Sequence, residues 1–374
     1  MPGPVLIAPD KFKGSLTAPE VAEAVAAGIR AERPDVEVRR APMADGGDGT
    51  VEVALAAGFS RIPVRVSGPV GGPADTAVAV DGDTAVVELA SASGLSAMDP
   101  DDELEPLSAS SDGTGEAVLA ALDAGVRRIV LGVGGSACTD GGAGMLTVLG
   151  ARVLDERGYP IAPGGGPLAR VAEVDLAGLD PRLSEVEIVL ASDVDNPLTG
   201  ERGAAHVYGP QKGATPEQVR VLDEALEKFS RAVLAAGGRD VAELPGAGAA
   251  GGVGFGAMAA MGASMRPGVD VVLELVGFDD RIDGAGLVVT GEGSIDEQTL
   301  HGKGPAGVAA RAAAAGVPAV AVAGRCDLAE ERWAEAGFKS VHTLAALEKD
   351  PQRCMTEAAS LLETLGRDIA KLHL

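Results

Sequence analysis

The chain has 374 residues, long for one hydrophobic core and comfortable for two. Hydrophobic residues make up 46%, aromatics only 2%, and 53 residues are glycine, so the core is built from Ala, Val and Leu with backbones in close approach, as between helix and sheet layers. The 31 Lys and Arg against 55 Asp and Glu leave a net charge of −24; that field repels DNA and RNA, and no basic stripe or aromatic platform offsets it. The cysteines, Cys138, Cys326 and Cys354, are scattered with no C-x-x-C pair, which argues for a reducing compartment and against a disulfide framework or zinc site. The N-terminus lacks a basic n-region and a long apolar h-region, and no stretch reaches the length of a membrane span, so a cytoplasmic protein with no membrane partner is expected.

Val5 to Ala8 predicts a strand, closed by Pro9-Asp10-Lys11-Phe12-Lys13-Gly14. Ser15 or Thr17 caps the helix that follows, with Glu20 placed as the capping-box partner of Thr17. Val36 to Ala41 is a second strand, and Asp45-Gly46-Gly47-Asp48-Gly49 leads into a helix near Thr50. This β-loop-α-β-loop-α order implies a parallel sheet with right-handed crossovers. From Arg61 to Pro106, short alternating runs divided by Gly, Pro and Asp read as antiparallel hairpins. A helix over 115–124, a strand over 128–133, a Gly-rich loop with another helix, a strand over 186–190 and a long helix over 215–236 follow. The tail returns to αβ alternation, with strands at 287–289, 317–323 and 340–343, and helices over 304–315 and 356–371. The expectation is an α/β chain of two domains. A Rossmann-like parallel-sheet domain is built from 1–62 and 277–374, a mixed α/β domain over 63–276 is inserted, and the active site lies in the interdomain cleft.

Six loops cluster Gly, Asp, Ser/Thr and Lys where open α/β sheets place ligands. In the first, Asp10, Lys11 and Lys13 beside a helix start suit an acidic substrate or phosphate with Asp10 available as a base, or form a solvated turn. Asp45 and Asp48 in the second can face a metal or a hydroxyl, or cap a helix. The third, Gly132 to Gly144, offers backbone amides with Ser136 and Thr139 to a phosphate, but lacks the Gly-Lys-Ser/Thr ending of a Walker A loop; tight helix–sheet packing is its alternative. The fourth, Ser192-Asp193-Val194-Asp195-Asn196, presents the oxygen donors that Mg²⁺ takes, or a Pro-stopped turn, and Lys212 follows before a helix. Gly246 to Gly256 reads equally as a phosphate cradle or a bend between packed elements. The sixth, Gly291-Glu292-Gly293-Ser294 with Asp296 and then Lys303, sets acids and a lysine beside a helix start, as a nucleotide-phosphate and metal arrangement does. The histidines have no nucleophile-elbow context, so no Ser-His-Asp case arises.

In order and spacing, from near residue 5 to about residue 330, these segments resemble the bacterial glycerate kinases: Asp10-Lys11-Phe12-Lys13-Gly14, Ala44-Asp45-Gly46-Gly47-Asp48-Gly49-Thr50, Gly134-Gly135-Ser136-Ala137 with Asp140-Gly141-Gly142, Ser192-Asp193-Val194 with Asn196-Pro197-Leu198, Pro210-Gln211-Lys212-Gly213, and Gly291-Glu292-Gly293-Ser294 with Asp296. Asp48 stands where the family often has Glu, and Ala137-Cys138-Thr139-Asp140 where Ala-Thr-Asn-Asp is common. The resemblance implies ATP-dependent phosphorylation of D-glycerate, usually giving 2-phosphoglycerate, by two α/β domains with the site between them. Glycerate needs a lysine for its carboxylate and a carboxylate for its attacking hydroxyl, while phosphoryl transfer needs positioning and charge neutralisation. Lys11 or Lys13 is then expected on the substrate carboxylate and Asp45 or Asp193 as base, with Asp10, Asp48, Ser192 and Asn196 on the substrate side. Gly134, Gly135, Ser136, Asp140, Lys212, Gly291, Glu292 and Lys303 are expected at the ATP phosphates, and Asp195, Glu292 and Asp296 at Mg²⁺. The competing readings are a Mg²⁺-dependent phosphohydrolase, a kinase of another small hydroxy acid, and a non-catalytic sensor; the last predicts missing motif carboxylates, and none is missing.

Overall fold

Val5–Pro9 is a buried strand flanked on one side by Val38–Arg40 and on the other by Leu287–Ile295, both parallel to it. Ala319–Cys326 and Phe338–Thr343 extend the sheet beyond Leu287–Ile295, again in parallel. Successive side chains of a strand face opposite sides. Val5 and Ile7 accordingly cluster with Val21 and Val25 of the helix Ala18–Glu32 and with Leu362 and Leu365 of the helix Ala358–His373. Leu6 and Ala8 cluster instead with Val308, Ala309 and Ala312 of the helix Pro305–Ala314. A sheet covered on both faces needs continuous apolar runs rather than alternation, which is why the inner strands Val5–Pro9, Leu287–Ile295 and Ala319–Cys326 open on buried apolar blocks.

The computed structural model describes residues 3–98, 103–301 and 304–374. It divides into two compact units. The first comprises Met1–Asp45, Glu52–Ala57 and Val269–Leu374, and contains this parallel sheet; the second comprises Gly46–Val51 and Gly58–Gly268.

Within the first unit, the Thr17 cap is a full capping box: Thr17 N donates to Glu20 Oε2 at 2.9 Å and Glu20 N donates to Thr17 Oγ1 at 3.4 Å. Ser15, the other expected cap, donates its hydroxyl to the Met355 carbonyl at 2.6 Å instead. The helices Ala18–Glu32 and Ala358–His373 touch backbone to backbone. A Cβ at Gly28 would lie 2.0 Å from the Glu363 carbonyl oxygen, and one at Gly366 would lie 2.4 Å from that of Val25. Gly28→Ala must therefore push the two helices apart, and a loss of about 1–3 kcal/mol is expected in urea unfolding of this unit. An unchanged urea midpoint would show that the helices slide freely.

The second unit holds a six-stranded sheet in the order Ser264–Arg266, Glu187–Ala191, Arg128–Gly132, Thr84–Glu88, Pro73–Asp81, Ser60–Ser67. The first four are parallel, whereas Pro73–Asp81 runs antiparallel to both of its neighbours. The hairpin reading of 61–106 therefore ends at Thr84–Glu88, whose other edge joins the parallel half of the sheet. The helix Asp112–Asp123 starts three residues ahead of its expected position. The long helix Pro216–Ala235 opens on a second capping box, formed by Thr215 and Gln218. A small antiparallel pair, Arg152–Asp155 with Val171–Asp175, was not expected, because the Gly and Pro residues between its strands mask the short alternation.

Candidate active site

In the first unit the chain leaves Val5–Pro9 towards Val38–Arg40, while Leu287–Ile295 continues outward in the opposite direction. The order therefore reverses between Val5–Pro9 and Leu287–Ile295, and open α/β sheets bind ligands at the carboxyl ends of the strands at such a switch point. The register decides what stands there. Pro9 pairs with Gly291, so Asp10 and Glu292 emerge side by side, and Asp10 N donates to the Gly291 carbonyl at 2.7 Å. Ala41 N to Ile7 O (2.8 Å) and Met43 N to Pro9 O (2.9 Å) carry a third segment along the same edge to Asp45. Asp10, Lys11, Lys13, Asp45 and Glu292 line one cavity of about 620 Å³.

These carboxylates disturb one another. Burial, reinforced by the Asp45 and Glu292 charges and partly opposed by Lys11, pushes the Asp10 carboxyl up to about 7. Burial likewise pushes Glu292 up to about 7, with Asp296 and Asp45 adding to it and a hydrogen bond from Thr299 opposing it. That bond, Thr299 Oγ1 to Glu292 Oε1, is 2.6 Å long, and Thr299 is buried. No motif had pointed to Thr299. Asp296 accepts from Gln298 N at 2.8 Å. Gly291 is required by strand contact, since a Cβ there would lie 2.0 Å from the Val322 carbonyl oxygen. Lys303 falls outside the described residues.

The carboxyl ends of the parallel strands in the second unit are also in register, with Glu88, Gly132 and Ala191 abreast and Arg266 beside Ala191. Gly46 and Gly47 press onto this edge. Gly134 N donates to Gly46 O at 3.2 Å; a Cβ at Gly46 would lie 2.4 Å from Ala191 O, and one at Gly134 2.6 Å from Gly47 Cα. Glu88, which sequence reasoning missed, is 5% exposed and accepts from Gly49 N (2.9 Å) and Val51 N (3.1 Å), holding the segment that carries the half-buried Asp48. An isolated Glu at a strand end gives no sequence signal of such a role.

The Gly-rich loop after Arg128–Gly132 and the residues before the long helix, expected separately at the phosphates, are brought together. Lys212 is 2% exposed, and its Nζ donates to Ser136 Oγ at 2.8 Å and to Cys138 O at 2.5 Å. Burial lowers the pKa of this ammonium and raises that of the Cys138 thiol, so the cysteine is inert filler. Gly135 takes a positive φ of 74° where the loop turns. Asp140 is fully buried and committed internally: it accepts from Ser111 N and Oγ (2.9 and 2.8 Å), Gly142 N (3.1 Å) and Gly144 N (3.2 Å). It ties the starts of two helices together, a task that leaves it little capacity for a phosphate.

Asp193 accepts from Gly268 N at 2.9 Å, and Ser192 Oγ accepts from Val194 N at 3.2 Å. Asn196 is committed to Arg202 O (2.7 Å) and the Tyr208 hydroxyl (2.7 Å), while Asp195 is exposed and lies 3.9 Å from Arg202. The segment Gly246–Gly256 packs instead of opening. Ala250, Gly251 and Gly252 take positive φ values of 53°, 65° and 91°, and a Cβ at Gly251 would lie 2.1 Å from Cys138 O. Among the described residues, no three His, Cys, Asp or Glu side chains form a metal-holding group. The all-oxygen pair Glu292 and Asp296, with Asp45 in electrostatic reach, is the part of the expected donor set that the fold gathers.

The fold and this acidic, lysine-flanked edge are those of an α/β enzyme, and comparison with known proteins gives its family. Residues 5–374 match the model of the glycerate kinase family. The chain is 45% identical over 369 residues to the glycerate kinase of Halalkalibacterium halodurans, covering 98% of this chain and 97% of that one. It is 44% identical over 324 residues to the glycerate 2-kinase of Escherichia coli K12, covering 86% and 84%. The crystal structure of a proposed glycerate kinase 2 from Salmonella typhimurium LT2 superposes with a TM-score of 0.86 at 41% identity, covering 99% of this chain and 98% of that one. The chain belongs to the glycerate kinase family and is an enzyme, a kinase.

Proposed function

We propose that the protein transfers the γ-phosphoryl group of ATP to a hydroxyl of D-glycerate in the cytoplasm, the 2-hydroxyl being favoured. The observation that carries this reading is the pairing of Asp10 and Glu292 at the switch point, with Lys11 and Lys13 in the same cavity. The substrate oxygen forms a bond to the γ-phosphorus, the bond from that phosphorus to the ADP bridging oxygen breaks, and ADP leaves with the electron pair. The hydroxyl proton goes to Asp10, whose raised pKa suits a base working near neutrality better than an ordinary aspartate does. Asp45 stands beside it, and Lys11 or Lys13 takes the glycerate carboxylate.

Within the second unit, the Gly134–Ser136 amides would meet phosphate oxygens on a loop that Lys212 fixes, and Asp193 with Ser192 remains the alternative contact for substrate hydroxyls. Glu292 and Asp296 would hold Mg²⁺ as a pair, with Asp45 adding negative charge nearby. They are hard oxygen donors whose crowding a divalent cation relieves, and bound there it would neutralise triphosphate charge. Asp195, exposed beside Arg202, is the weakest member of the proposed metal set.

The 2-hydroxyl is favoured by the identity to a relative named glycerate 2-kinase. The test follows ADP release from ATP, Mg²⁺ and D-glycerate, with enolase and no mutase present. Immediate enolase turnover is expected. ADP release that gives enolase nothing until mutase is added would assign the 3-hydroxyl. Phosphate release without glycerate would make the protein a hydrolase.

A further inference from the structure

Thr299 stands at the junction of the two acids assigned to the cation. It follows the turn that closes the strand Leu287–Ile295 and opens the 3₁₀ turn Thr299–His301. Only 3% of it is exposed, although Glu297 and Gln298 just before it are open to solvent. A buried hydroxyl needs partners, and this one has two. Thr299 Oγ1 donates to Glu292 Oε1 at 2.6 Å and accepts from Asp296 N at 3.2 Å. The Thr299 amide then closes the turn by donating to Asp296 O at 3.1 Å. One side chain thus joins the carboxyl group of Glu292 to the backbone that carries Asp296.

The same turn fixes the Asp296 side chain, whose Oδ1 accepts from Gln298 N at 2.8 Å. Each acid therefore commits one oxygen to the turn. Among the described residues, Glu292 Oε2 and Asp296 Oδ2 have no hydrogen-bond or ion-pair partner. Mg²⁺ takes one or two carboxylates and fills its other positions with water and phosphate oxygens, so one uncommitted oxygen on each acid is what it requires. The bond to Glu292 is short and directional, and threonine is stiff about χ1. Glu292 is thereby held before any cation arrives, where a free glutamate would lose its torsional freedom only on binding.

We propose that Thr299 is a positioning residue, its hydroxyl holding Glu292 and the Asp296 turn in the arrangement that accepts the divalent cation. This role rests on the reading of Glu292 and Asp296 as the Mg²⁺ pair. The test compares Thr299→Val, which keeps the shape without the hydroxyl, with Thr299→Ser, which keeps the hydroxyl. Thr299→Ala is a second hydroxyl-free variant in case the valine does not fold, and Glu292→Gln is the reference for loss of the pair. Mn²⁺ is the probe. Its binding to the nucleotide-free chain is read from the loss of the free-ion signal in electron paramagnetic resonance, with circular dichroism as the check on folding.

Partners that orient metal ligands are worth about 10–100-fold in affinity or activity, so the Kd for Mn²⁺ is expected to rise by that factor in Thr299→Val. In turnover with ATP and Mg²⁺, kcat is expected to fall by a similar factor while the KM for glycerate stays within about twofold of wild type. Thr299→Ser is expected to recover both to within about threefold. Wild-type Mn²⁺ binding and turnover in the hydroxyl-free variants, with binding weakened in Glu292→Gln, would overturn the role of Thr299 and leave the metal pair standing. Equal damage in Thr299→Ser and Thr299→Val would overturn it too, by giving the effect to packing. Mn²⁺ binding that Glu292→Gln leaves unchanged, or that the wild type lacks, would sink the metal pair and the role of Thr299 with it. Binding weakened by Thr299→Val in a wild type that never phosphorylates glycerate would support the positioning role and sink the kinase reading.

Discussion

Asp10→Asn is expected to lower kcat/KM by about 10²–10⁴ and yet to make the protein more stable at pH 8. Both effects come from one cause. The folded protein holds the Asp10 carboxyl at about 7, well above its ordinary value of 3.8, because burial and the Asp45 and Glu292 charges disfavour the ionised form. Between those two values the folded state binds more protons than the unfolded state, so stability falls as pH rises through the interval and the full penalty is present above pH 7. Asparagine cannot ionise and escapes the penalty. In metal-free buffer at pH 8 its unfolding temperature should exceed that of wild type by about 2–4 °C, and at pH 4.5 the gap should shrink to about a quarter of that. The wild-type rate should also fall below pH 7 as the base takes up its proton. A variant with near-normal turnover, or an unfolding shift of equal size at both pH values, would remove Asp10 from the base role.

Lys212→Met should cost both stability and transfer, for a different reason. The ammonium is buried and bridges Ser136 Oγ and Cys138 O, so it fixes the Gly134–Cys138 loop that is proposed to meet phosphate. Methionine matches the shape of the lysine but donates nothing, leaving a buried carbonyl and hydroxyl without that donor. A loss of about 1–3 kcal/mol is expected in urea unfolding. If Lys212 acts by positioning the loop and charging it, the KM for ATP should rise and kcat should fall, by about 10²-fold or more in kcat/KM, with the KM for glycerate held. Equal damage to both KM values would reduce Lys212 to a packing role.

The parts of this molecule that sequence made legible are those encoded locally. Thr17 with Glu20 announces a helix start within four residues, and the apolar block at Val5–Ala8 announces a strand covered on both faces. The Asp10 and Glu292 loops stand out because Gly, acid and lysine cluster within each. What sequence could not give is the pairing of distant segments. Nothing near Glu88 says that it will receive Gly49 N and Val51 N, and Asp140 reads as a loop acid until Ser111 and Gly144 are seen around it. Gly246–Gly256 shows the converse. Its composition fits a cradle or a bend, and only the close approach of Gly251 to Cys138 O decides for packing.

The central strand Val5–Pro9 pairs with a neighbour some 280 positions downstream, as the bond from the Thr290 hydroxyl to Ala8 O records. At about 5–20 residues per second on the ribosome, that neighbour emerges roughly 15–60 s after the strand does. Throughout that delay the strand Val5–Pro9 has Val38–Arg40 as its one paired neighbour, and the face of the helix Ala18–Glu32 that will meet Ala358–His373 has no cover. The residues of the second unit, which end at Gly268, are complete only about 1–4 s before that neighbour begins to emerge. Nascent chains of this protein thus carry an unfinished, apolar sheet through most of their synthesis, a long exposure for chaperones to shield.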